Sequence, residues 1–273
     1  MPSTTEIIVS QLARLIGTPH VLRLLDVRTE EDFAADPRLI PGAIRRDPRT
    51  AASWKEGGDA AVVYCQHGGK LSQGAAAWMR HAGTPAQTLV GGFAAWRDAG
   101  EMLVQTAALP APDPAGRTVW VTRARPKVDR IACPWLIRRF VDPYAVFLFV
   151  APSEVTAVGE RFSATPFDIE DVFFSHRGPL CTFDAMLAAF GLTSEPLLHL
   201  ARIVRGADTA QFDLAPRAAG VLAASLGLSR VFRDDLQQLD AGMMLYDALY
   251  RWCRDATAET HNWPSVRASE ARA

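Results

Sequence analysis

Short apolar runs alternate with helix-like segments through the first hundred residues, and this alternation restricts the fold more than any other feature. The runs typical of buried strands lie at 21–27, 61–64 and 87–90. Segments with helical spacing separate them, and one is expected to begin with Ser72 as its N-cap and to end at His81. Strands separated by helices are typical of α/β proteins. We therefore predict a domain with a parallel sheet and helices on both faces.

The second half of the chain has a different pattern. Strand-like runs lie at 118–123 and 145–150, and apolar residues three and four apart then recur from 182 to 254. This spacing predicts a mostly α-helical α+β domain. A helix is also expected within 129–141, where Pro134 would be tolerated only in the first turn.

Residues between the halves are typical of a linker, because 103–117 hold three prolines among small side chains. The last residues of the chain are polar. We therefore predict one domain over 1–102, a linker over 103–117, a second domain over 118–255 and a polar tail over 256–273.

Charge and cysteine content narrow the range of partners. The formal net charge of the 273 residues is -1, which disfavours nucleic acid as a partner, and no apolar run approaches the roughly 20 residues that span a bilayer. Four cysteines lie far apart without a CxxC pair, which argues against a zinc ribbon or a disulfide scaffold. The start of the chain lacks the pattern of a signal peptide. We expect a cytoplasmic protein without a membrane partner, and the oligomeric state stays open.

A glycine-bearing loop follows the apolar run at 61–64 and begins with Cys65. A loop between a strand and a helix can turn several backbone N–H groups and the helix dipole toward a sulfur, which favours the reactive thiolate. Gly68 and Gly69 permit such a turn, and the same cradle would hold an anion. The alternative from the local pattern is a buried, inert cysteine at the end of a strand.

Four motifs make the first half similar to the rhodanese-like family. They are "LLDVRTEEDF" (24–33), "IPGAI" (40–44), "VVYCQHGGKLS" (62–72) and "GGFAAW" (91–96). The resemblance implies that Cys65 accepts sulfur as a persulfide from a small donor, thiosulfate or another persulfide. It implies an anion cradle built from Gln66, Gly68, Gly69, Leu71 and Ser72. Asp26 and Arg28 become candidate supports of the loop.

The loop departs from the family pattern at its cationic position. Sulfurtransferases of this family commonly carry arginine five residues after the cysteine, and here that residue is Lys70. The loop is also one residue longer, as in related phosphatases, whose arginine would fall on Leu71. Leucine cannot clamp a phosphoryl group, so a phosphatase is disfavoured. Lys70 can still neutralise an oxyanion and His67 can donate a proton, unless both only form a solvated loop tip.

Basic residues cluster where the second half begins. Arg123, Arg125, Lys127 and Arg130 surround a predicted junction of strand and helix. Such a cluster can form a pocket for a small oxyanion. The alternative is a solvated helix face.

A metal site is a further hypothesis for the second half. His176 and Asp208 lie near glycines beside predicted helices and, with Asp129 or Asp184, offer nitrogen and carboxylate ligands. Such a set suits a divalent iron, manganese or zinc ion as cofactor. No HxH, HxxxH or HExxH spacing supports the site, and helix capping or internal ion pairs would also explain these residues.

The second half resembles the C-terminal domain of the chromate-resistance protein family. The resemblance is carried by "WVTRARPKVDRIACPWLIRRF", "FDAMLAAFGL", "IVRGADTAQFDLAPRAAG" and "LYDALYRWC". It implies a role in resistance to chromate or a related oxyanion, without naming active residues. The leading hypothesis is therefore a sulfurtransferase domain coupled to an oxyanion-detoxifying domain. The alternatives are an oxyanion sensor without turnover, and a metal-dependent enzyme in the second domain.

Overall fold

The structure is a computed structural model that describes residues 5–19, 23–54 and 60–259. The strands of its first half are β1 (Glu6–Ile7), β2 (Arg23–Asp26), β3 (Arg38–Leu39), β4 (Ala43–Arg45), β5 (Ala61–Tyr64), β6 (Ala86–Leu89) and β7 (Val104–Gln105). Five of them form one sheet in the order β1-β6-β5-β2-β4, and every pairing is parallel. The predicted parallel sheet is confirmed.

Helices cover both faces of this sheet. They are α1 (Val9–Leu15), α2 (Glu30–Ala35), α3 (Lys70–His81) and α4 (Gly92–Asp98). Side chains of β2 and β5 alternate between the faces, as the strand period requires. Leu24 and Val62 share a core with α1 and α4, whereas Leu25 and Val63 pack in a second core with α3.

Helix α3 begins two residues before the predicted cap. Its N-cap is Gly69, so the prediction that Ser72 caps the helix is wrong. The Ser72 side chain is fully buried in the first turn, and its hydroxyl oxygen lies 3.1 Å from the Gly69 carbonyl oxygen. The hydroxyl thus faces the Cys65 loop, because the glycine pair allows the helix to start earlier than a serine cap would.

The predicted linker begins inside the first structural unit. Val104 lies in β7, which pairs antiparallel with β3, and both Leu103 and Val104 are buried. Because these two apolar residues pack in the core, the irregular connection starts only after the short 3-10 turn Thr106–Ala108. Most of the predicted tail, 260–273, lies outside the described residues.

The second half places a small parallel sheet beside a set of helices. The strands are β8 (Val119–Arg123), β9 (Val146–Val150) and β10 (Thr165–Pro166), in the order β10-β8-β9. The helices are α5 (Asp129–Leu136), α6 (Val155–Phe162), α7 (Thr182–Phe190), α8 (Glu195–Asp208), α9 (Ala218–Val231) and α10 (Asp235–Asp255). The mostly helical character predicted for this half is confirmed.

Helix α5 has irregular backbone geometry at both of its ends. Val128 precedes it with φ of 22°, which a β-branched residue rarely adopts. Pro134 lies at the sixth position of the helix rather than in its first turn, so the expected placement is wrong. The helix begins early, at Asp129, and continues past Leu136 as one π-helical turn, Ile137–Val141. Proline inside a helix removes one helical hydrogen bond, the one its own N–H would donate to the preceding turn.

The two halves share one apolar core. Gly17, after α1, lies so close to the rings of Phe140 and Tyr250 that a β-carbon there would collide with Phe140. The Arg254 guanidinium of α10 donates to the carbonyls of Ile16 at 3.2 Å and Arg14 at 2.8 Å. The halves are therefore packed against each other. No helix in the described part of the chain is long and apolar enough to cross a membrane.

Candidate functional site

Cys65 follows β5 and is buried at the start of the loop that leads to α3. The Gly69 amide donates to its Sγ at 3.2 Å, and the Ser72 hydroxyl oxygen lies 3.3 Å from the same sulfur. The glycine at the helix start and the buried serine therefore meet the cysteine on one side of the loop.

These contacts favour the thiolate. Burial raises the pKa of Cys65, but hydrogen bonds from the Ser72 hydroxyl and from the amides of Ser72, His67 and Gly69 outweigh it. The net effect is a pKa below the usual range, because donors pointed at sulfur stabilise its charged form. The sulfur is therefore prepared for nucleophilic chemistry.

A second glycine turn holds the loop from behind. The amides of Phe93 and Ala94 each donate at 3.0 Å, to the carbonyls of Cys65 and Gln66. Gly92 has φ of 61°, and a β-carbon there would lie 2.5 Å from the Gly68 nitrogen. The residue is therefore required for this close approach. Sequence reasoning did not assign Gly92 to the site, although the "GG" pair before α4 is its signal.

Asp26 and Arg28 form a buried ion pair beside the loop. Arg28 Nη2 lies 2.7 Å from Asp26 Oδ2, and both side chains are inaccessible to solvent. The guanidinium also lies 3.8 Å from the centre of the Phe93 ring. Because the Phe93 amide donates to the Cys65 carbonyl, the pair reaches the loop through α4 rather than by direct contact.

The other predicted loop residues take different positions. His67 and Lys70 are exposed, and within the described ranges neither side chain makes a hydrogen bond or an ion pair. Gln66 is half-buried. Leu71 packs against the apolar core under α3 and lines a cavity of about 450 Å³. The arginines that line the same cavity are Arg28, Arg45, Arg46 and Arg49.

A second cluster of chemically active groups lies in the second half. It contains Asp129 in the first turn of α5, His176 in the loop before α7, and Asp208 at the end of α8. His176 Nε2 lies 3.1 Å from Asp208 Oδ2 and 3.7 Å from Asp129 Oδ2. One nitrogen or oxygen atom of each residue lies within 4.8 Å of the others. The structure thus brings together three segments that are distant in the chain.

Asp168 belongs to this cluster, although sequence reasoning missed it. Its Oδ1 lies 3.6 Å from His176 Nε2 and accepts the Thr182 hydroxyl at 2.8 Å. Its Oδ2 lies 3.3 Å from Arg130 Nε. The residue follows a two-residue strand in "TPFDIED", a stretch with no periodic signal that could have marked it.

Asp184 does not join the cluster. Its carboxylate accepts the Cys181 amide at 3.1 Å, at the start of α7, and pairs with Arg205 at 3.2 Å. This capping role is the alternative that the sequence left open for such residues.

Negative charge is concentrated around His176. Burial, and then the charges of Asp208 and Asp168, raise the pKa of Asp129 well above its usual value. Burial and Asp168 also raise the pKa of Asp208, against the opposing charges of His176 and Arg130. Burial and neighbouring negative charges disfavour the ionised form of these carboxyl groups, and a bound cation would stabilise that form.

The predicted basic cluster divides into two parts. Arg123 and Arg130 turn toward Asp168, with Arg123 Nη2 3.5 Å from Asp168 Oδ2. Arg125 instead donates to the Phe232 carbonyl at 2.9 Å. With Lys127 it lines a separate cavity of about 550 Å³ beside α9. The four cations therefore do not form one pocket.

Comparison with known proteins gives the class of each half. A model of the rhodanese-like domain matches residues 9–99, and a model of the ChrB C-terminal domain matches residues 120–253. The chain is a two-domain protein with a rhodanese-like α/β domain followed by a mostly helical domain. That second domain is a ChrB C-terminal domain, and both resemblances inferred from the sequence are confirmed.

A curated relative and solved structures were also found. Protein ChrB of Cupriavidus metallidurans is 35% identical over 132 residues, which cover 48% of this chain. They cover only 39% of the relative, so the match spans about two fifths of its length. A thiosulfate sulfurtransferase from Pseudomonas aeruginosa is 29% identical, covers 37% of this chain and 19% of its own, and has a TM-score of 0.32. A Rhodopseudomonas palustris protein described as a possible tyrosine phosphatase is 25% identical, with coverages of 36% and 83% and a TM-score of 0.33.

Proposed function

We propose that Cys65 is a sulfur carrier that forms a persulfide, in a protein whose second domain acts in resistance to chromate or a related oxyanion. The observation that supports this most directly is the hydrogen bonding of the Cys65 sulfur by the Gly69 amide and Ser72. Such donors favour the thiolate, which is the form of cysteine that attacks sulfur.

The proposed chemistry balances without an external oxidant. The Cys65 thiolate attacks the outer sulfur of thiosulfate, and a new S–S bond forms at Sγ. The bond from that outer sulfur to the sulfonate breaks, and sulfite leaves with the electron pair. Cyanide then attacks the outer sulfur of the persulfide, thiocyanate forms, and the bonding pair returns to Cys65 as thiolate.

Lys70 and His67 are proposed to meet the anionic donor. Both are exposed at the loop, and neither is engaged by another described side chain. Lys70 would neutralise the departing anion as a point charge, without the bidentate geometry that arginine provides.

The four cysteines are all free, which suits a reducing compartment such as the cytoplasm.

Thiosulfate and cyanide test this function directly. The intact chain should form thiocyanate, and mass spectrometry after thiosulfate alone should find one added sulfur atom on Cys65. Cys65→Ser should lose both signals, whereas Cys253→Ser, which removes a buried cysteine of the other domain, should retain them. Equal turnover by Cys65→Ser would exclude Cys65 as the carrier.

Oxyanion sensing without turnover is the second candidate function. It is favoured by Leu71, which packs into an apolar core where a catalytic arginine would lie in the longer type of loop. If the domain is a sensor, a bound chromate or sulfate ion should protect Cys65 from alkylation. Thiosulfate should then leave no sulfur atom on Cys65. An adduct on Cys65 would instead select the carrier function.

A further inference from the structure

The cluster of Asp129, His176 and Asp208 lies in the ChrB-type domain and has no part in the proposed sulfur transfer. We propose that these three residues bind one divalent first-row transition-metal ion, with Asp168 orienting the site. The donor set is one imidazole nitrogen and two carboxylates, which suits Mn²⁺ or Fe²⁺ because both accept oxygen-rich surroundings and imidazole.

The distances between the donor atoms fit a shared ion. Two atoms that each lie about 2.1 Å from one metal are separated by roughly 3.0 to 3.4 Å at octahedral or tetrahedral angles. His176 Nε2 is 3.1 Å from Asp208 Oδ2 and 3.7 Å from Asp129 Oδ2. The three donor atoms all lie within 4.8 Å of one another, so small movements of the His176 ring and of both carboxylates would bring them to bonding distance of one ion.

A buried oxygen of Asp129 supports a ligand at this place. Asp129 Oδ2 accepts the Thr182 amide at 2.6 Å, but Oδ1 is buried without a hydrogen-bond partner among the described residues. Leaving a buried carboxylate oxygen unpaired is costly, so native structures rarely do so without a function. The other oxygen of this carboxylate, Oδ2, lies 3.7 Å from His176 Nε2, so the unpaired atom belongs to a side chain of the cluster.

Two of the three carboxylates around His176 have no arginine partner among the described residues. Asp129, Asp168 and Asp208 surround His176, and each lies within 3.7 Å of its Nε2. Arg130 and Arg123 contact Asp168 but form no ion pair with Asp129 or Asp208 within the described residues. A divalent ion would bring two positive charges to these two carboxylates.

Asp168 is assigned a positioning role. Its carboxylate is occupied by Thr182 and Arg130, so it is less available as a ligand than the other two. It lies in the same segment between β10 and α7 as His176, and its contacts with Thr182 of α7 and Arg130 of α5 hold that segment beside the site. Outer residues of this kind typically change metal affinity by about 10- to 100-fold.

The site opens to solvent on one side only. The His176 side chain is 42% exposed, whereas Asp129 is buried and Asp208 is largely covered. Three protein ligands with an open side leave coordination positions for water or an anion. Bound metal would also connect the loop that carries His176 to α5 and α8.

Metal binding to the full chain tests the proposal. After chelation, the protein is dialysed against Mn²⁺, with Mg²⁺ in a parallel experiment, and bound metal is measured by elemental analysis. We expect one Mn²⁺ per chain. His176→Gln and Asp208→Asn should weaken binding by more than 100-fold, and Asp168→Asn by about 10- to 100-fold. Asp184→Asn, a matched change outside the cluster, should bind like the unaltered chain.

A protease assay gives a second readout that does not depend on activity. Trypsin can cleave after Arg177, which is exposed beside His176. Mn²⁺ should slow this cleavage in the unaltered chain and in Asp184→Asn, but not in His176→Gln. Because His176 is exposed, misfolding of His176→Gln would not explain the loss of protection. Absence of bound metal in the unaltered chain, or equal affinity in His176→Gln, would overturn the proposal.

Discussion

At the scale of single residues, the contact with Ser72 favours the thiolate form of Cys65. The hydroxyl is fully buried, lies 3.3 Å from the sulfur and opposes the effect of burial on its charge. A loop can therefore favour a thiolate without an arginine, provided that a hydroxyl and several amides point at the sulfur. The Cys65 loop has this arrangement.

Ser72→Ala should raise the pKa of Cys65, because it removes a donor that stabilises the thiolate while burial remains. The midpoint pH for iodoacetamide alkylation of Cys65 would then be higher than in the unaltered chain. Below that midpoint, Cys65 of the variant would be alkylated more slowly. Peptide mapping across a pH series measures this shift. Ser153→Ala, at an exposed position in the other domain, is the control. An unchanged midpoint in Ser72→Ala would show that the backbone amides are sufficient.

At the scale of elements, the Asp26–Arg28 pair connects several secondary structures. Arg28 follows β2, donates to the Asp36 carbonyl after α2 at 3.0 Å and to the Arg38 carbonyl of β3 at 2.7 Å, and lies over Phe93 of α4. One buried guanidinium thus joins the ends of four elements beside the Cys65 loop.

Arg28→Met should destabilise the chain by about 3–5 kcal/mol, because it leaves the Asp26 carboxylate buried without its partner. Urea unfolding measures the loss. Arg49→Met removes a solvent-exposed ion pair with Asp47 and should lower the stability far less, because water screens the two charges. Equal losses in the two variants would contradict the role assigned to burial.

The sequence predicted elements where the pattern is local. The strand at 61–64 coincides with β5, and the end of α3 at His81 was predicted from Gly83 and the helical spacing. Features that depend on distant partners were not predicted. Leu103 and Val104 join the first unit because β7 pairs with β3, and Asp168 lies beside His176 because the short strand before it, β10, pairs with β8.

The same limit applies to the candidate sites. Cys65 could be assigned because its strand, glycines and helix are consecutive in the chain. The sequence offered Asp129 or Asp184 as a partner of His176 and Asp208. The choice of Asp129, and the presence of Asp168, depended on contacts that sequence spacing does not encode. Asp184 instead pairs with Arg205 and accepts the Cys181 amide at the start of α7. These contacts hold its carboxylate away from His176.

At the scale of the whole molecule, the two domains are expected to unfold together. They share one apolar core in which Phe140 and Tyr250 pack against Gly17. Urea unfolding should therefore show coincident transitions for tryptophan fluorescence and for Cys65 accessibility to a thiol reagent. Two separated transitions would contradict a shared core.

Gly17→Ala gives a direct measure of that interface. Gly17 and Gly83 both have positive φ, so alanine at either position costs about 1–2 kcal/mol of backbone strain. Only at Gly17 would the added β-carbon also meet the rings of the other domain, since Gly83 has open space around it. The unfolding midpoint should fall further for Gly17→Ala than for Gly83→Ala, and equal shifts would show that the interface contributes little.

The contact between Gly17 and Tyr250 also sets an order of events during synthesis. The turn after α1 leaves the ribosome early, but its ring partner lies near the other end of the described chain. At about 5–20 residues per second, the two are separated by roughly 10 to 50 s of translation. During that interval, α1 and its neighbours expose apolar surface that only the later helix covers. The surface around Gly17 in the nascent first domain thus stays without its Tyr250 contact until α10 has been made.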